Sequence, residues 1–142
     1  MSRIGPIIIA EDDLDDQEIM REVFESLSIK NPLRFFTDGE EVLQYLQTTT
    51  EQPFIIISDV NLARMNGLEL RRRINADEKL RQKSIPFVFL TTGATHHYVQ
   101  EAYNLMVQGF FKKENNFRQI QNTIRMIIEY WLICRHPNSK TG

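Results

Sequence analysis

Short apolar runs alternate along the chain with segments whose apolar residues recur at helical spacing. Each apolar run predicts a strand, and each spaced segment predicts an amphipathic helix. Strands that alternate with helices favour a parallel sheet with helices on both faces and right-handed crossovers. The sequence therefore predicts an α/β fold. The predicted strands are Ile4–Ala10, Leu33–Phe36, Phe54–Asp59, Phe87–Thr92 and Gly109–Lys112.

Five helices are expected, one after each strand. The last of them is apolar on more than one side, because Met126, Tyr130 and Ile133 lie outside the stripe that predicts its contact with the core. Such a helix often has a partner, so we expect a docking surface or a homodimer there. The predicted helices begin at about Asp13, Asp38 and Gly67, and the last two cover about His96–Met106 and Phe117–Cys134.

Length and composition favour a single globular domain. The chain has 142 residues, 42% of them hydrophobic and 25% charged, and we expect one domain over residues 1–135 with a polar tail over 136–142. The net charge of −2 gives no electrostatic case for direct nucleic-acid binding. Apolar runs are far shorter than the ~20 residues of a membrane span. The single cysteine, Cys134, suits a reducing compartment, so we expect a cytoplasmic protein without membrane contact.

Polar side chains follow four of the predicted strands at the point where each strand ends. The carboxyl ends of parallel strands meet at one edge of a sheet, which is where open α/β sheets bind ligands. Packed carboxylates repel each other, so this edge needs a cation, and Mg²⁺ prefers such hard oxygen ligands. Acids, a hydroxyl and an ammonium together suit phosphoryl transfer. The residues are Glu11, Asp12 and Asp13 after the first strand, Asp59 as the last residue of the third, Thr91 and Thr92 at the end of the fourth, and Lys112 and Lys113 at the end of the fifth.

These motifs resemble the receiver domain of two-component response regulators, over about Ile4 to Tyr130. The acids Glu11-Asp12 end the first strand and Asp59 ends the third. The loop after Asp59 is similar to the family signature Asp-x-x-Met-Pro-x-Met-Asp-Gly. Thr91 lies five residues after Pro86, and Lys113 lies 22 residues after Thr91, as is common in the family. The loop residues that carry the similarity are Leu62, Met65, Asn66 and Gly67.

The resemblance implies a flavodoxin-like doubly wound sheet of strand order 2-1-3-4-5 with five helices. It also implies a role for each site residue. Asp59 would be the phosphoacceptor, Thr91 and Lys113 would bind the phosphoryl group, and Thr91 and Phe110 would form the switch. The implied Mg²⁺ ligands are Asp12 and Asp59 directly, Glu11 through water, and the backbone carbonyl of Asn61.

The implied partners are a histidine kinase or phosphotransfer protein and a downstream protein target. Phosphorylation would change the face formed by the fourth helix, fifth strand and fifth helix, where the family often forms homodimers. With no output domain expected in the chain, the signal would pass by protein contact. The implied protein is a signalling protein, not an enzyme, that assists its own phosphorylation and dephosphorylation.

Three departures from the family pattern leave alternatives open. Ala63 stands where the family often has proline, and Met106 replaces a usual glycine. The family's Lys-Pro, with its cis bond, is Lys113-Glu114 here, so that bond is cis or trans, and Lys112 is a second candidate for facing the site. A pseudo-receiver that is not phosphorylated is therefore one alternative function. An aspartate-nucleophile phosphatase is a weaker one, because its general acid would fall at Asn61, which cannot donate a proton in that way.

Overall fold

A five-stranded parallel sheet forms the centre of the molecule. The computed structural model describes residues 4–93 and 95–134, so the predicted tail over 136–142 lies outside the described residues. The strand order is β2-β1-β3-β4-β5, and every neighbouring pair is parallel, which confirms the predicted sheet. The strands are β1 (Ile7–Ala10), β2 (Leu33–Phe36), β3 (Ile55–Ser58), β4 (Phe87–Thr91) and β5 (Gly109–Lys112).

In the part of the chain that the structure describes, six helices, one more than predicted, cover the two faces of the sheet. The additional helix α4 follows α3 directly, because Asp77 ends α3 and its side chain accepts the first hydrogen bond of α4 from the Leu80 backbone N–H at 3.2 Å. It ends at Ser84, which has the left-handed φ of 51°. The helices are α1 (Leu14–Ser26), α2 (Gly39–Thr48), α3 (Gly67–Ala76), α4 (Glu78–Lys83), α5 (His96–Asn104) and α6 (Phe117–Ile133). The predicted fourth and fifth helices are therefore α5 and α6.

The strands divide the core into two apolar layers. In β1, Ile7 and Ile9 face one layer, while Ile8 and Ala10 face the other. The first layer is closed by α1 and α6, and the second by helices that include α2 and α3. Burial of each such isoleucine stabilises the fold by roughly 1.5–3 kcal/mol. The buried central strands therefore hold in place the residues at their carboxyl ends.

The first strand is shorter than predicted, since it begins at Ile7 rather than Ile4. Ile7 is fully buried and pairs with both Leu33 and Ile55, whereas 71% of Ile4 is exposed. Among the helices of residues 4–93 and 95–134, none has the length and apolar character that crossing a membrane requires.

Candidate phosphoacceptor site

Asp59 follows the last residue of β3 at the carboxyl edge of the sheet. Its backbone N–H donates to the Ala10 carbonyl at 2.9 Å, and only 8% of the residue is exposed. The chain then turns into α3 at Gly67, where a Cβ atom would lie 2.3 Å from the Asp59 carbonyl oxygen. Glycine at this position therefore lets the start of α3 pack directly against the backbone of Asp59.

The Asp59 carboxylate accepts hydrogen bonds from the end of β4 and from the loop that follows Asp59. Oδ1 accepts from the Thr91 hydroxyl at 2.5 Å and from the Asn61 backbone N–H at 3.0 Å. Thr91 is the last residue of β4, which pairs with β3, so the sheet itself brings this hydroxyl to Asp59. These hydrogen bonds fix the orientation of the carboxylate.

The Lys113 ammonium lies among three carboxylates. It forms an ion pair with Glu11 and lies 3.3 Å from Asp16 Oδ2 and 3.4 Å from Asp59 Oδ2. Its own backbone N–H donates to the Thr91 carbonyl at 2.8 Å, which holds the end of β5 beside β4. The ammonium therefore neutralises part of the negative charge that the strand ends bring together.

Lys113, not Lys112, faces the site. Lys113 is 7% exposed, whereas the neighbouring Lys112 lies at the surface. Because the structure shows no cis peptide bond among its described residues, the Lys113–Glu114 bond is trans, and the ammonium reaches Asp59 with that geometry.

Burial sets the protonation of Glu11. Burial raises the pKa of Glu11 to about 7, against the opposing effect of Lys113, and the charge of Asp59 acts in the same direction as burial. Burial acts to lower the pKa of Lys113, but the hydrogen bond to Glu11 and the nearby carboxylate charges outweigh it and raise that pKa. Lys113 is therefore cationic at neutral pH, while Glu11 titrates near it.

The three acidic residues after β1 have different roles. Glu11 is buried and contacts Lys113, whereas Asp12 is exposed and has no side-chain partner among the described residues. Asp13 is the N-cap of α1, since its Oδ1 accepts from the Asp15 and Asp16 backbone N–H groups at 2.8 and 3.2 Å. Asp13 therefore supports the helix start instead of adding a third carboxylate to the cluster.

Asp16 and the Asn61 backbone N–H were missed by the sequence prediction. Asp16 lies three residues beyond the Asp13 cap, so the first turn of α1 returns its side chain towards Lys113. The helical spacing of the acids in this turn was the available signal. The Asn61 N–H left no signal in the sequence, because its role depends on the path of the loop.

Phe110 packs against the core beside the site. Its ring centroid lies 5.6 Å from that of Phe89 in a tilted contact, and the side chain is half-buried. Phe110 lies on the edge strand β5, next to the strand that ends at Thr91.

The donor set fits a hard divalent cation. No group of three or more acidic, histidine or cysteine side chains is close enough to hold a metal ion among residues 4–93 and 95–134. Mg²⁺, however, needs only one or two carboxylates, since it retains several of its waters. Asp12 and Asp59, which follow the neighbouring strands β1 and β3, are oxygen donors of the kind that this ion binds.

The family model for the response regulator receiver domain matches residues 7–125. The chain belongs to this family. Among curated proteins, this receiver domain is 28% identical over 130 residues to the "probable methanogenesis regulatory protein FilR2" of Methanothrix harundinacea, and the match covers 89% of this chain and 83% of that protein. Receiver domains are signalling domains and not classical enzymes, and they interact with histidine kinases and downstream targets.

Solved structures of response regulators share the fold. The receiver domain superposes on the phosphorylated cyanobacterial phytochrome response regulator RcpA with a TM-score of 0.85 at 26% identity, covering 94% of this chain and 98% of the other. The Mn²⁺-bound form of the response regulator Rcp1 gives a TM-score of 0.81, also at 26% identity, with 94% and 99% covered. One neighbour is thus phosphorylated and another binds a divalent metal.

Proposed function

We propose that this receiver domain accepts a phosphoryl group on Asp59 from a histidine kinase or a phosphotransfer protein. The observation that carries the proposal is the set of contacts at one carboxylate. Asp59 Oδ1 accepts a hydrogen bond from the Thr91 hydroxyl at 2.5 Å, while Oδ2 lies 3.4 Å from the Lys113 ammonium. A nucleophile, a hydrogen-bond donor and a cation thus converge where a phosphoryl group would be transferred.

In the proposed step, a carboxylate oxygen of Asp59 forms a bond to phosphorus as the bond between phosphorus and the donor's imidazole nitrogen breaks. The electron pair of the broken bond stays on the imidazole, and the product is an aspartyl phosphate. Lys113 stabilises the phosphoryl oxygens as their charge shifts in the transition state. Thr91 then turns its hydroxyl from Asp59 Oδ1 to an oxygen of the new phosphoryl group.

Mg²⁺ belongs to the same proposal. Asp12, Asp59 and the Asn61 backbone carbonyl would hold the ion. Glu11 would assist near neutral pH, where its carboxyl group ionises. When bound, the ion neutralises phosphoryl oxygens and the crowded carboxylates. That the related regulator Rcp1 has a Mn²⁺-bound form supports the binding of a divalent ion.

The proposed output is a change of surface. Movement of Thr91 vacates space beside Phe110, which then turns inward and alters the face formed by α5, β5 and α6. This face would contact a downstream protein or a second copy of the chain, without direct contact to nucleic acid or membrane. The cytoplasmic location stays a prediction from the single cysteine.

One incubation with a small phosphodonor and Mg²⁺, followed by intact-mass measurement, tests the function. We expect a single, slowly lost phosphoryl adduct that is absent in Asp59→Asn and present in the exposed control Asp15→Asn. No adduct on the folded wild-type protein would contradict the proposal and favour the pseudo-receiver. Rapid multiple release of phosphate would instead favour the phosphatase, which Asn61 argues against because an amide is a poor general acid.

A further inference from the structure

A cleft of about 270 Å³ opens at the end of the sheet opposite Asp59. Pro86 and Gln108, which directly precede β4 and β5, lie in its wall, so the cleft is at the amino ends of these strands. Helices α3 and α4 and Trp131 of α6 complete the lining. None of the proposed phosphoryl-transfer chemistry uses this cleft.

Arg71 brings a buried positive charge to the cleft. Only 8% of the residue is exposed, and its guanidinium donates from Nε to the Leu105 carbonyl at 3.0 Å and from Nη2 to the Met106 carbonyl at 2.9 Å. A guanidinium has five N–H donors, so more than half of them are not used by these bonds. Arg71 has no carboxylate partner within the described ranges, and burial lowers its pKa to about 10, which leaves it charged at neutral pH.

Arg81 of α4 lines the same cleft from the surface. Its Nη1 donates to the Asn75 carbonyl at 3.2 Å, and it too forms no ion pair with a carboxylate in the part of the chain that the structure describes. By contrast, the neighbouring Arg72 and Arg73 pair with Glu69. The described lining contains no aspartate or glutamate. Two guanidinium groups that have no carboxylate partner among the described residues therefore line one cleft.

We propose that this cleft binds the phosphate group of a small molecule between Arg71 and Arg81. A buried cation without a counter-ion is costly, and a bound anion removes that cost. Two guanidinium groups match the charge of about −1.5 to −2 on a phosphate monoester and can donate several hydrogen bonds to its oxygens. The volume exceeds the ~30 Å³ share of a water molecule many times over, which leaves room for an attached organic group.

The intrinsic fluorescence of Trp131 can report binding in the cleft, because Trp131 lines the cleft and is the single tryptophan of the chain. We expect its fluorescence to change saturably when inorganic phosphate is added, and not when sodium chloride is added at equal ionic strength. Arg81→Gln should weaken phosphate binding by about tenfold, the effect of losing a charged hydrogen-bond partner. Arg81 is exposed, so this variant should keep the melting temperature of the wild type.

Two controls separate this cleft from the rest of the molecule. Arg118→Gln removes the same charge from an exposed position on α6 away from the cleft lining, and should bind phosphate like the wild type. Asp59→Asn should also bind it unchanged, which distinguishes the cleft from the phosphoacceptor site. The proposal is overturned if wild-type fluorescence shows no saturable change, if Arg81→Gln binds as tightly as the wild type, or if Asp59→Asn loses binding.

Discussion

Lys113 holds Glu11, Asp16 and Asp59 around one ammonium group. If this ammonium stabilises the phosphoryl oxygens during transfer, Lys113→Gln should slow phosphorylation from a small phosphodonor by roughly 100-fold, as is typical for loss of one preorganised electrostatic group. The time course of the intact-mass adduct measures this rate. Lys112→Gln is the matched control, because the adjacent lysine is exposed, and it should phosphorylate at the wild-type rate. Equal rates in the two folded variants would remove Lys113 from the mechanism.

The raised pKa of Glu11 leads us to expect an unusual pH dependence of the folding stability. Its pKa rises on folding from 4.5 to about 7, so between these values the folded state binds more protons than the unfolded state. Raising the pH through this window therefore costs folding free energy, and the cost is complete above about pH 7. Relative to the wild type, Glu11→Gln should gain stability across the window, by at most about 3 kcal/mol.

Urea unfolding at several pH values measures this difference. Glu18→Gln removes an exposed carboxylate from the same region and should show no such trend. A constant difference between Glu11→Gln and the wild type across the window would refute the raised pKa of Glu11.

Met106 holds a backbone conformation that favours glycine. Its φ is 64°, its side chain is exposed, and its carbonyl accepts from Arg71. A left-handed conformation costs a non-glycine residue about 1–2 kcal/mol, and glycine would remove this cost. Glycine also loses more conformational entropy on folding, which offsets part of the gain in stability. Met106→Gly should therefore stabilise the fold by roughly 0.5–1 kcal/mol. Thermal or urea unfolding measures the change.

The control for Met106 is an exposed residue in regular helix. Gln100→Gly, in the middle of α5, should destabilise the fold by about 0.5–1 kcal/mol, because glycine is unfavourable in helix interiors. The opposite signs of the two substitutions are the expected result. A loss of stability in Met106→Gly would mean that the side chain contributes more than its exposure indicates.

At the scale of elements, α6 presents more apolar surface than the core uses. Its buried stripe contacts the sheet, while Met126 and Tyr130 are 63% and 62% exposed beside the half-buried Phe111 of β5. We predict that a non-hydrolysed phosphoryl analogue doubles the mass of the protein measured by light scattering, through the face of α5, β5 and α6. Met126→Glu places a charge in this face and should keep the protein monomeric.

Leu14→Glu provides the comparison for the dimer prediction. Leu14 is 69% exposed on α1, away from the proposed face, so this variant should respond to the analogue like the wild type. A wild-type protein that stays monomeric with and without the analogue would remove the homodimer and leave only docking to another protein.

Within the elements, sequence patterns placed the strands well and one helix poorly. β2 and β5 have the predicted bounds, because apolar runs flanked by turn residues leave few alternatives for a buried strand. Helix α4 was missed because it is only six residues long with Leu80 as its one buried residue, too short for a periodic signal. Asp77 is both the last cap of α3 and the first cap of α4, so the sequence pattern alone does not separate the two helices.

For the whole molecule, the alternation of strands and helices was enough to predict a parallel sheet with a site at its carboxyl edge, while the strand order was implied by the family resemblance. Glu11 after β1 and Asp59 after β3 lie close together there because the two strands are parallel neighbours. The spacing from Thr91 favoured Lys113 over Lys112, but the sequence alone could not show which of the two side chains is buried at the site, because that depends on packing at the end of β5. Nor could it place Asp16, which reaches the site from a helix turn.

Asp59 is the residue that we propose carries the phosphoryl group. Phosphorylation with a small phosphodonor and Mg²⁺, followed by reduction of the aspartyl phosphate with borohydride and peptide mass spectrometry, locates it directly. We expect reduction to convert Asp59 alone to homoserine, and a chelator added before the phosphodonor to prevent the conversion. Conversion of Asp12 or Asp16, or an unmodified Asp59 in a folded, Mg²⁺-supplied protein, would contradict it.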